Sequence, residues 1–318
     1  MVQEVCELLQ PGPGDTIVDC NLGTGGHSLA LLAASGEGGF LVGLDLDDAM
    51  LAPARNRLET HGFSSRSLSL VHANHADLPG VLSRLGLNGV DRILMDLGAS
   101  SLHFDDPDRG FSCQNDGPLD MRYDRSPGIP TAADIVNTWS VEDLARLFKE
   151  KGDERWARRI AQEIVKRRAS KPFERTLELA RAVGESIPRK AWPPKIHVAS
   201  RVFLALRVEV NAEDESLRRG LEGALESLKP GGRLAVITFQ SHEDRTVKRF
   251  FRDASEDKID ENDPWGRVRE AAKFRDLTRK PIVPGEEETV RNPRSRSAKL
   301  RGVEKKNVAS IQERKEEE

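Results

Sequence analysis

Short apolar runs, most of them closed by an acidic residue, recur through the N-terminal third of the chain. Thr16-Ile17-Val18 ends at Asp19, Phe40-Leu41-Val42-Gly43-Leu44 at Asp45, Leu68 to Val71 at His72, and Val90 to Met95 at Asp96. The stretches between them are long enough for one helix each. Residues 3–10 read as a short leading helix, Pro11-Gly12-Pro13-Gly14 as the turn into the first strand, and Asp48 as the cap of a helix running to about His61. The interval of about 25 residues is the rhythm of βα units in a parallel, doubly wound sheet, so the expected fold class is α/β.

After Asp96 the rhythm fails. Leu97-Gly98-Ala99-Ser100-Ser101 runs into the polar stretch Asp105 to Phe111, with Asp116 to Arg122 soon after, and neither resembles a core strand. From Ala132 to about Ser186 the spacing is helical: Val141, Leu144, Leu147 and Phe148 form one stripe, and Trp156, Ile160, Ile164 and Val165 the next. Pro188, Pro193 and Pro194 punctuate the exit. A helix from about Val198 to Val210 and another through Leu228 then lead to Lys229-Pro230-Gly231-Gly232, and Arg233 to Thr238 resumes the sheet. This pattern predicts a core in two parts, 1–104 and 199–302, split by a helical insert at 105–198 that serves substrate recognition. Residues 303–318 read as a disordered tail.

Composition narrows the class of protein. A chain of 318 residues can bury a full core, and no stretch approaches a membrane span or a signal peptide. Cys6, Cys20 and Cys113 are too few and too scattered for a disulfide framework or a zinc site, which points to a reducing cytoplasm. His72 and His75 lack companions for a ligand set, so no metal is expected. The formal net charge is −3, but residues 154–175 hold eight Lys/Arg against three Glu, and residues 289–306 seven against one. Such stretches suit a phosphate backbone or a solvated face equally. A homo-oligomer is left open.

The chemistry concentrates in Asp19-Cys20-Asn21-Leu22-Gly23-Thr24-Gly25-Gly26-His27-Ser28, where a strand breaks into glycines ahead of a helix. In open α/β sheets such a turn lies at the carboxyl end of a strand, where ligands bind. Asp45 follows the loop by about 20 residues, the place of the acid that accepts from ribose hydroxyls. Ser28 stands where the dinucleotide fingerprint has its third glycine, which disfavours NAD and FAD. S-adenosylmethionine, with a ribose but no pyrophosphate, fits better. A glycine turn that merely packs strand on helix is the bland alternative. A nicotinamide-dependent oxidoreductase is a further rival, weakened by Ser28 and by the lack of an evident Tyr-Lys pair, Tyr123 being the only tyrosine.

Five segments together resemble one family: Gly25-Gly26-His27-Ser28, Met95-Asp96-Leu97-Gly98, Arg109-Gly110-Phe111-Ser112, Asp116-Gly117-Pro118-Leu119-Asp120-Met121-Arg122 and Asn292-Pro293-Arg294. The chain resembles the bacterial small-subunit (16S) ribosomal RNA cytosine-N(4) methyltransferases and their organellar relatives, from the glycine loop to Arg301. The resemblance implies a Rossmann-like S-adenosylmethionine-dependent methyltransferase core with a helical insert domain after the fourth strand. It also implies the small ribosomal subunit as partner and a cytidine of its decoding region as acceptor. A non-catalytic ribosome assembly factor on the same fold is the rival reading.

Carried over by position, cofactor contacts fall on Gly25, Gly26, His27, Asp45 and Asp96. They fall also on His75, where the family often has Phe, and on His103, where it often has Gln. Gln240 and His242 depart from the family's Ser-Phe-His-Ser-Leu-Glu-Asp-Arg. The family's opening His-x-Pro-Val-Leu segment is absent, which leaves the start of the chain in question. An exocyclic amine is nearly non-basic and needs an acceptor for its N–H. The candidates are Asp120, Asn211, Ser241 and Glu243, each with a plain alternative as a cap or loop-fixing group. Arg122, Arg207, Arg245, Arg294 and Arg296 are candidate phosphate ligands.

Overall fold

Each apolar run of the N-terminal third forms a strand, and each spacer a helix. In the computed structural model, which describes residues 1–259 and 268–307, α1 (Val2–Leu9) leads into β1 (Thr16–Asp19). Then come α2 (Gly26–Ser35), β2 (Phe40–Asp45), α3 (Leu51–Thr60), β3 (Leu68–His72), α4 (Leu78–Arg84) and β4 (Val90–Asp96). The strands read as continuous apolar runs because both faces of the sheet are covered. Ile17, Leu41 and Leu94 pack with Leu31, Leu32 and Leu58 of α2 and α3, while Val18, Val42, Ile93 and Met95 pack with Leu78, Val81 and Leu82 of α4.

The chain then builds a second compact unit, Ala99–Asp214, before returning to the first at Glu215. Its helices are α5 (Ser101–Asp105), α6 (Ala132–Thr138), α7 (Val141–Glu150), α8 (Ala157–Arg168), α9 (Thr176–Ser186) and α10 (Ser200–Val210). Leu144, Leu147 and Phe148 of α7, Ile160 and Ile164 of α8, and Leu179 and Val183 of α9 make one core. Val202, Phe203 and Leu206 of α10 belong to it. The insert therefore runs from 99 to 214 and not from 105 to 198. The helix expected to open the second part of the core instead closes the insert, because its apolar stripe matches α7 and α6. Asn211, buried at the end of that helix, steadies the strained Met121 (φ 65°) by donating to its carbonyl at 2.8 Å.

Back in the first unit, α11 (Glu213–Ser227) precedes β5 (Leu228–Thr238), and α12 (Ser241–Ser255), β6 (Lys258–Ile259), β7 (Val268–Glu270), β8 (Phe274–Asp276), α13 (Glu286–Arg291) and β9 (Lys299–Lys305) follow. Lys229-Pro230-Gly231-Gly232 does end the helix, and it breaks the β4 register, which resumes at Arg92 opposite Arg233. The seven-stranded sheet has the order β3-β2-β1-β4-β5-β9-β8. β1 to β5 are parallel, and β9 runs antiparallel between β5 and β8. The basic C-terminal segment thus ends in a core strand through Lys305, so the expected tail does not begin at 303. Its stretch from 308 lies outside the described residues.

Asp244, in the first turn of α12, fastens that helix to β9. It is buried and accepts from Arg301 Nε at 2.7 Å and Lys299 Nζ at 3.0 Å. Burial alone would raise its carboxyl, but the two cations hold it below the usual carboxylate range. Asp244→Ala leaves the buried Arg301 guanidinium without its counter-charge, and urea unfolding should show a loss of about 3–5 kcal/mol. A lowered folded-state value means that this stabilisation is present above the unfolded value and disappears as pH falls through the folded one. The wild type should therefore lose stability below roughly pH 4 by a component that the variant lacks.

Candidate active site

In a doubly wound sheet the ligand crevice opens at the carboxyl ends of two neighbouring strands whose chains leave in opposite directions. Here those strands are β1, which continues to β2, and β4, which neighbours β5 on the other side. They end in Asp19 and Asp96.

Asp19 is fully buried. Its Oδ2 accepts from the Ser28 hydroxyl at 2.6 Å and its Oδ1 from the Asn21 N–H at 3.3 Å. Burial pushes its carboxyl up to about 6, against the opposing pull of the Ser28 bond and of His27. Ser28 is therefore the partner this acid requires, and a third glycine in its place would remove that bond. Gly25 caps α2 with a left-handed φ of 75°, and a Cβ there would stand 3.4 Å from that of Ala54. The turn brings His27, in the first turn of α2, within 3.4 Å of Asp96 Oδ2 through Nδ1. Burial pulls the imidazolium down, but Asp96 and Asp19 prevail and hold it above the ordinary value.

Asp45 organises the loop from β2. Its Oδ2 accepts from Gly23 N–H at 2.8 Å and its Oδ1 from Asp47 N–H at 2.9 Å. His75 opens the turn after β3, its Nδ1 3.4 Å from Asn21 Nδ2. Gly220 of α11 gives that ring its room, since a Cβ there would fall 2.5 Å from His75 Cδ2. Asp19, Gly25, Gly26, His27, Asp45, His75 and Asp96 all belong to the first unit and line one end of its sheet.

Three buried oxygen and nitrogen atoms in this group, Asn21 Oδ1, His27 Nε2 and Asp96 Oδ1, make no hydrogen bond among the described residues. Burying unpaired polar atoms is costly, and these gather at the ends of β1 and β4, the crevice of a doubly wound sheet. The sequence reading places Asp19 and Asn21 in the glycine loop and Gln240 at a departure from the family's pattern, but it gives none of the three a role. A strand-end acid nine residues before a serine is the available signal for Asp19. Asn21 and Gln240 carry none.

The remaining candidates have other employment. Asp120 and Arg122 are spent on each other: Nε and Nη2 donate to the carboxylate at 2.8 and 2.9 Å, and Nη1 donates to the Ile129 carbonyl. Burial would raise the Asp120 carboxyl, but Arg122 holds it low. Asn211 accepts from Tyr123 N–H and donates to the Met121 and Arg207 carbonyls. Arg207 pairs two-pronged with Glu213. His103 is buried in the second unit, stacked on Phe111 and packed on Tyr123, with Nδ1 accepting from Ser100 N–H. Its ring serves internal packing and a helix cap. Glu243 Oε2 accepts from the Phe239 and Gln240 N–H groups as a cap for α12. Ser241, Arg245, Arg294 and Arg296 lie exposed in the first unit.

In the 154–175 stretch, Arg167, Lys171 and Arg175 are held by Glu163, Glu185, Glu178 and Asp116, while Arg155, Arg158, Arg159 and Lys166 are exposed. In the 289–306 stretch, Lys299 and Arg301 go to Asp244 and Arg291 to Glu288. No metal-ligating cluster of three or more His, Cys, Asp or Glu occurs among the described residues, and none of their helices is long and apolar enough to cross a membrane.

The family model of the MraW methylases matches residues 1–306. The chain belongs to the MraW methylase family. It is 48% identical over 310 residues to a protein named ribosomal RNA small subunit methyltransferase H from Syntrophobacter fumaroxidans, covering 97% of this chain and 96% of that one. A protein of the same name from Carboxydothermus hydrogenoformans is 48% identical over 311 residues, with 97% of each chain covered. A third, from Citrifermentans bemidjiense, is 46% identical over 306 residues, with 95% and 96% covered. This MraW methylase is an S-adenosylmethionine-dependent methyltransferase. The polar groups at its crevice suit such a cofactor: a carboxylate, Asp45, stands at the end of β2, and Asn21, His27 and Asp96 stand at the ends of β1 and β4 with buried polar atoms that make no hydrogen bond among the described residues.

The raised Asp19 value has a stability consequence. The folded chain keeps a proton that the unfolded chain has released, so stability falls as pH rises from about 4 to about 6 and stays lower above. Asp19→Asn removes this loss, and the apo variant should be more stable at pH 7 by up to about 3 kcal/mol, with little difference at pH 4. Thermal melts at the two pH values check it. For Asp45→Ala, calorimetry should show S-adenosylmethionine binding weakened by roughly 1.5–3 kcal/mol, the worth of hydrogen bonds to a charged group. Unchanged affinity would remove Asp45 from the site.

Proposed function

We propose that this chain methylates the exocyclic N(4) amine of a cytidine in the decoding region of small-subunit (16S) ribosomal RNA. What carries the reading is an intact crevice at the ends of β1 and β4 in a chain nearly half identical, end to end, to proteins named ribosomal RNA small subunit methyltransferase H. The free thiols of Cys6, Cys20 and Cys113 support a reducing cytoplasm as the place of reaction.

S-adenosylmethionine, when bound, supplies a methyl group already activated on a sulfonium. The chain's task is then to align an amine lone pair with that methyl and to let one proton leave. Asp45 would accept from the ribose hydroxyls, His75 would flank the base beside them, and Asn21, His27 and Asp96 would complete the polar lining. Asp45 is held by the Gly23 N–H, His75 lies against Gly220, and His27 and Asp96 hold each other, so little reorganisation would be needed on binding.

Cysteine-based attack on ring carbon 5 is disfavoured on chemistry. Burial pushes the Cys20 thiol far above its ordinary range, and it raises Cys113 as well, so neither supplies a thiolate at neutral pH. Reaction at a base amine requires that the cytosine be unstacked. Arg245, Arg294 and Arg296 in the first unit, and Arg155, Arg158, Arg159 and Lys166 in the second, are the cations we assign to the phosphates around it.

Small subunits incubated with the enzyme and labelled donor, then digested to nucleosides, should yield N(4)-methylcytidine by mass spectrometry. A carbon-5 or ribose 2′-O-methyl product would overturn the acceptor assignment and leave the cofactor site standing. Affinity for the subunit should fall with added salt, and reversing Arg245 and Arg296 to Glu should lower the slope by about one for each phosphate no longer neutralised. An unaltered slope would return both arginines to the solvated face.

A further inference from the structure

One polar side chain at the crevice is unexplained by the cofactor. Gln240 stands two residues beyond the end of β5, and its Oε1 is buried without a hydrogen bond among the described residues. Its backbone is fixed, because Gln240 N–H donates to Glu243 Oε2 at 3.0 Å and Phe239 N–H to the same oxygen at 2.9 Å. The segments leaving β4 and β5 run side by side past Asp96. Leu97 N–H donates to the Ile237 carbonyl at 2.9 Å, and Phe239 lies so near Gly98 that a Cβ there would stand 3.0 Å from its ring. Gln240 is thus held one strand over from Asp96.

The order of the strands says which part of the reaction this position meets. On the proposed reading, Asp45 at the end of β2 would take the ribose and His75 after β3 would flank the base, which would leave the ends of β1 and β4 to the methionine part and the side of β5 to the methyl acceptor. Of the groups first considered as acceptors for the amine, Asp120, Asn211 and Glu243 already accept hydrogen bonds from the protein itself. Gln240 offers a buried oxygen that does not.

We infer that the Gln240 carboxamide orients the target base, with Oε1 accepting one N(4)–H of cytosine and Nε2 donating to N3. This rests on the reading of the reaction given above. A carboxamide presents an acceptor and a donor side by side, the complement of the amine and ring nitrogen on cytosine's pairing edge. Bonding one N–H in the plane of the ring fixes the amine's rotation and turns its lone pair toward the methyl. An amide is no base at neutral pH, so Gln240 takes no proton, and its role is alignment.

The test measures single-turnover methyl transfer to small subunits, subunit affinity, S-adenosylmethionine affinity and thermal unfolding for wild type, Gln240→Leu and Gln240→Asn. Gln240→Leu should lower the transfer rate roughly 10- to 100-fold, the worth of a two-point base contact. Its cofactor affinity and melting temperature should match wild type, which a merely structural role for the side chain would not allow. Gln240→Asn, which keeps the amide but withdraws it by one methylene, should also be slow, and it decides the question if the leucine variant fails to fold. A folded variant of either kind with the wild-type rate overturns the inference while N(4)-methylcytidine from wild type leaves the enzyme's reaction standing. Wild type that makes no N(4)-methylcytidine overturns both.

Discussion

A carboxylate buried at the end of a strand must be satisfied by hydrogen bonds or keep its proton, and Asp19 sits at that balance. The Ser28 hydroxyl, a backbone N–H from Asn21 and the nearby His27 partly offset its desolvation, and the residual strain shows as a carboxyl raised to about 6. Much of the crevice is arranged around this acid. The glycines of the loop exist so that the chain can turn around it, the helix they start carries both Ser28 and His27, and His27 in turn reaches Asp96 across the gap between β1 and β4. Stability lost at Asp19 is the kind of local cost that ligand sites tolerate, since the same unpaired groups that weaken the apo fold give a polar ligand something to bind.

The second unit uses its polar residues differently. Several of its acidic and basic side chains are paired internally: Asp120 with Arg122, Arg207 with Glu213, Arg175 with Asp116. These pairs hold a region with little regular structure between α5 and α6, where Gly110 takes a left-handed φ of 74° and its α-carbon lies so near the Pro118 carbonyl that a side chain has no space. A motif rich in Asp, Arg and Gly reads in sequence like a site. In the fold it is the scaffold of a long loop, which has to satisfy its backbone groups without help from a sheet.

What is legible in the sequence follows from which physical signals are local. The alternation of apolar runs with helix-length spacers discloses β1 to β4, and the glycine loop with Asp45 discloses the crevice, because strand ends and turns are written in contiguous residues. The end of the insert is not legible because α10 carries an apolar stripe that fits either unit, and only packing against α6 and α7 decides. No role for Asn21 or Gln240 is legible, for a similar reason: an amide acquires meaning from the burial of its oxygen, which depends on neighbours far away in sequence. His103 is a cofactor contact by position in the family pattern, and what only the fold discloses is that its ring packs on Phe111 and Tyr123, which are themselves stacked.

The place of β9 governs how the molecule can be made. This strand, Lys299–Lys305, is inserted between β5 and β8, and the unit it completes is interrupted by more than a hundred residues of insert. During synthesis β1 to β4 emerge early with the edge of β4 unpaired, the insert can fold by itself meanwhile, and the sheet cannot close until nearly the whole chain has left the ribosome. A message truncated shortly before codon 299 would release a chain with both β5 and β8 presenting open edges, the form most prone to pair with another molecule. The late arrival of β9 thus covers the edge of β5 and gives β8 its only partner in the sheet, so that hazard lasts until this segment is in place.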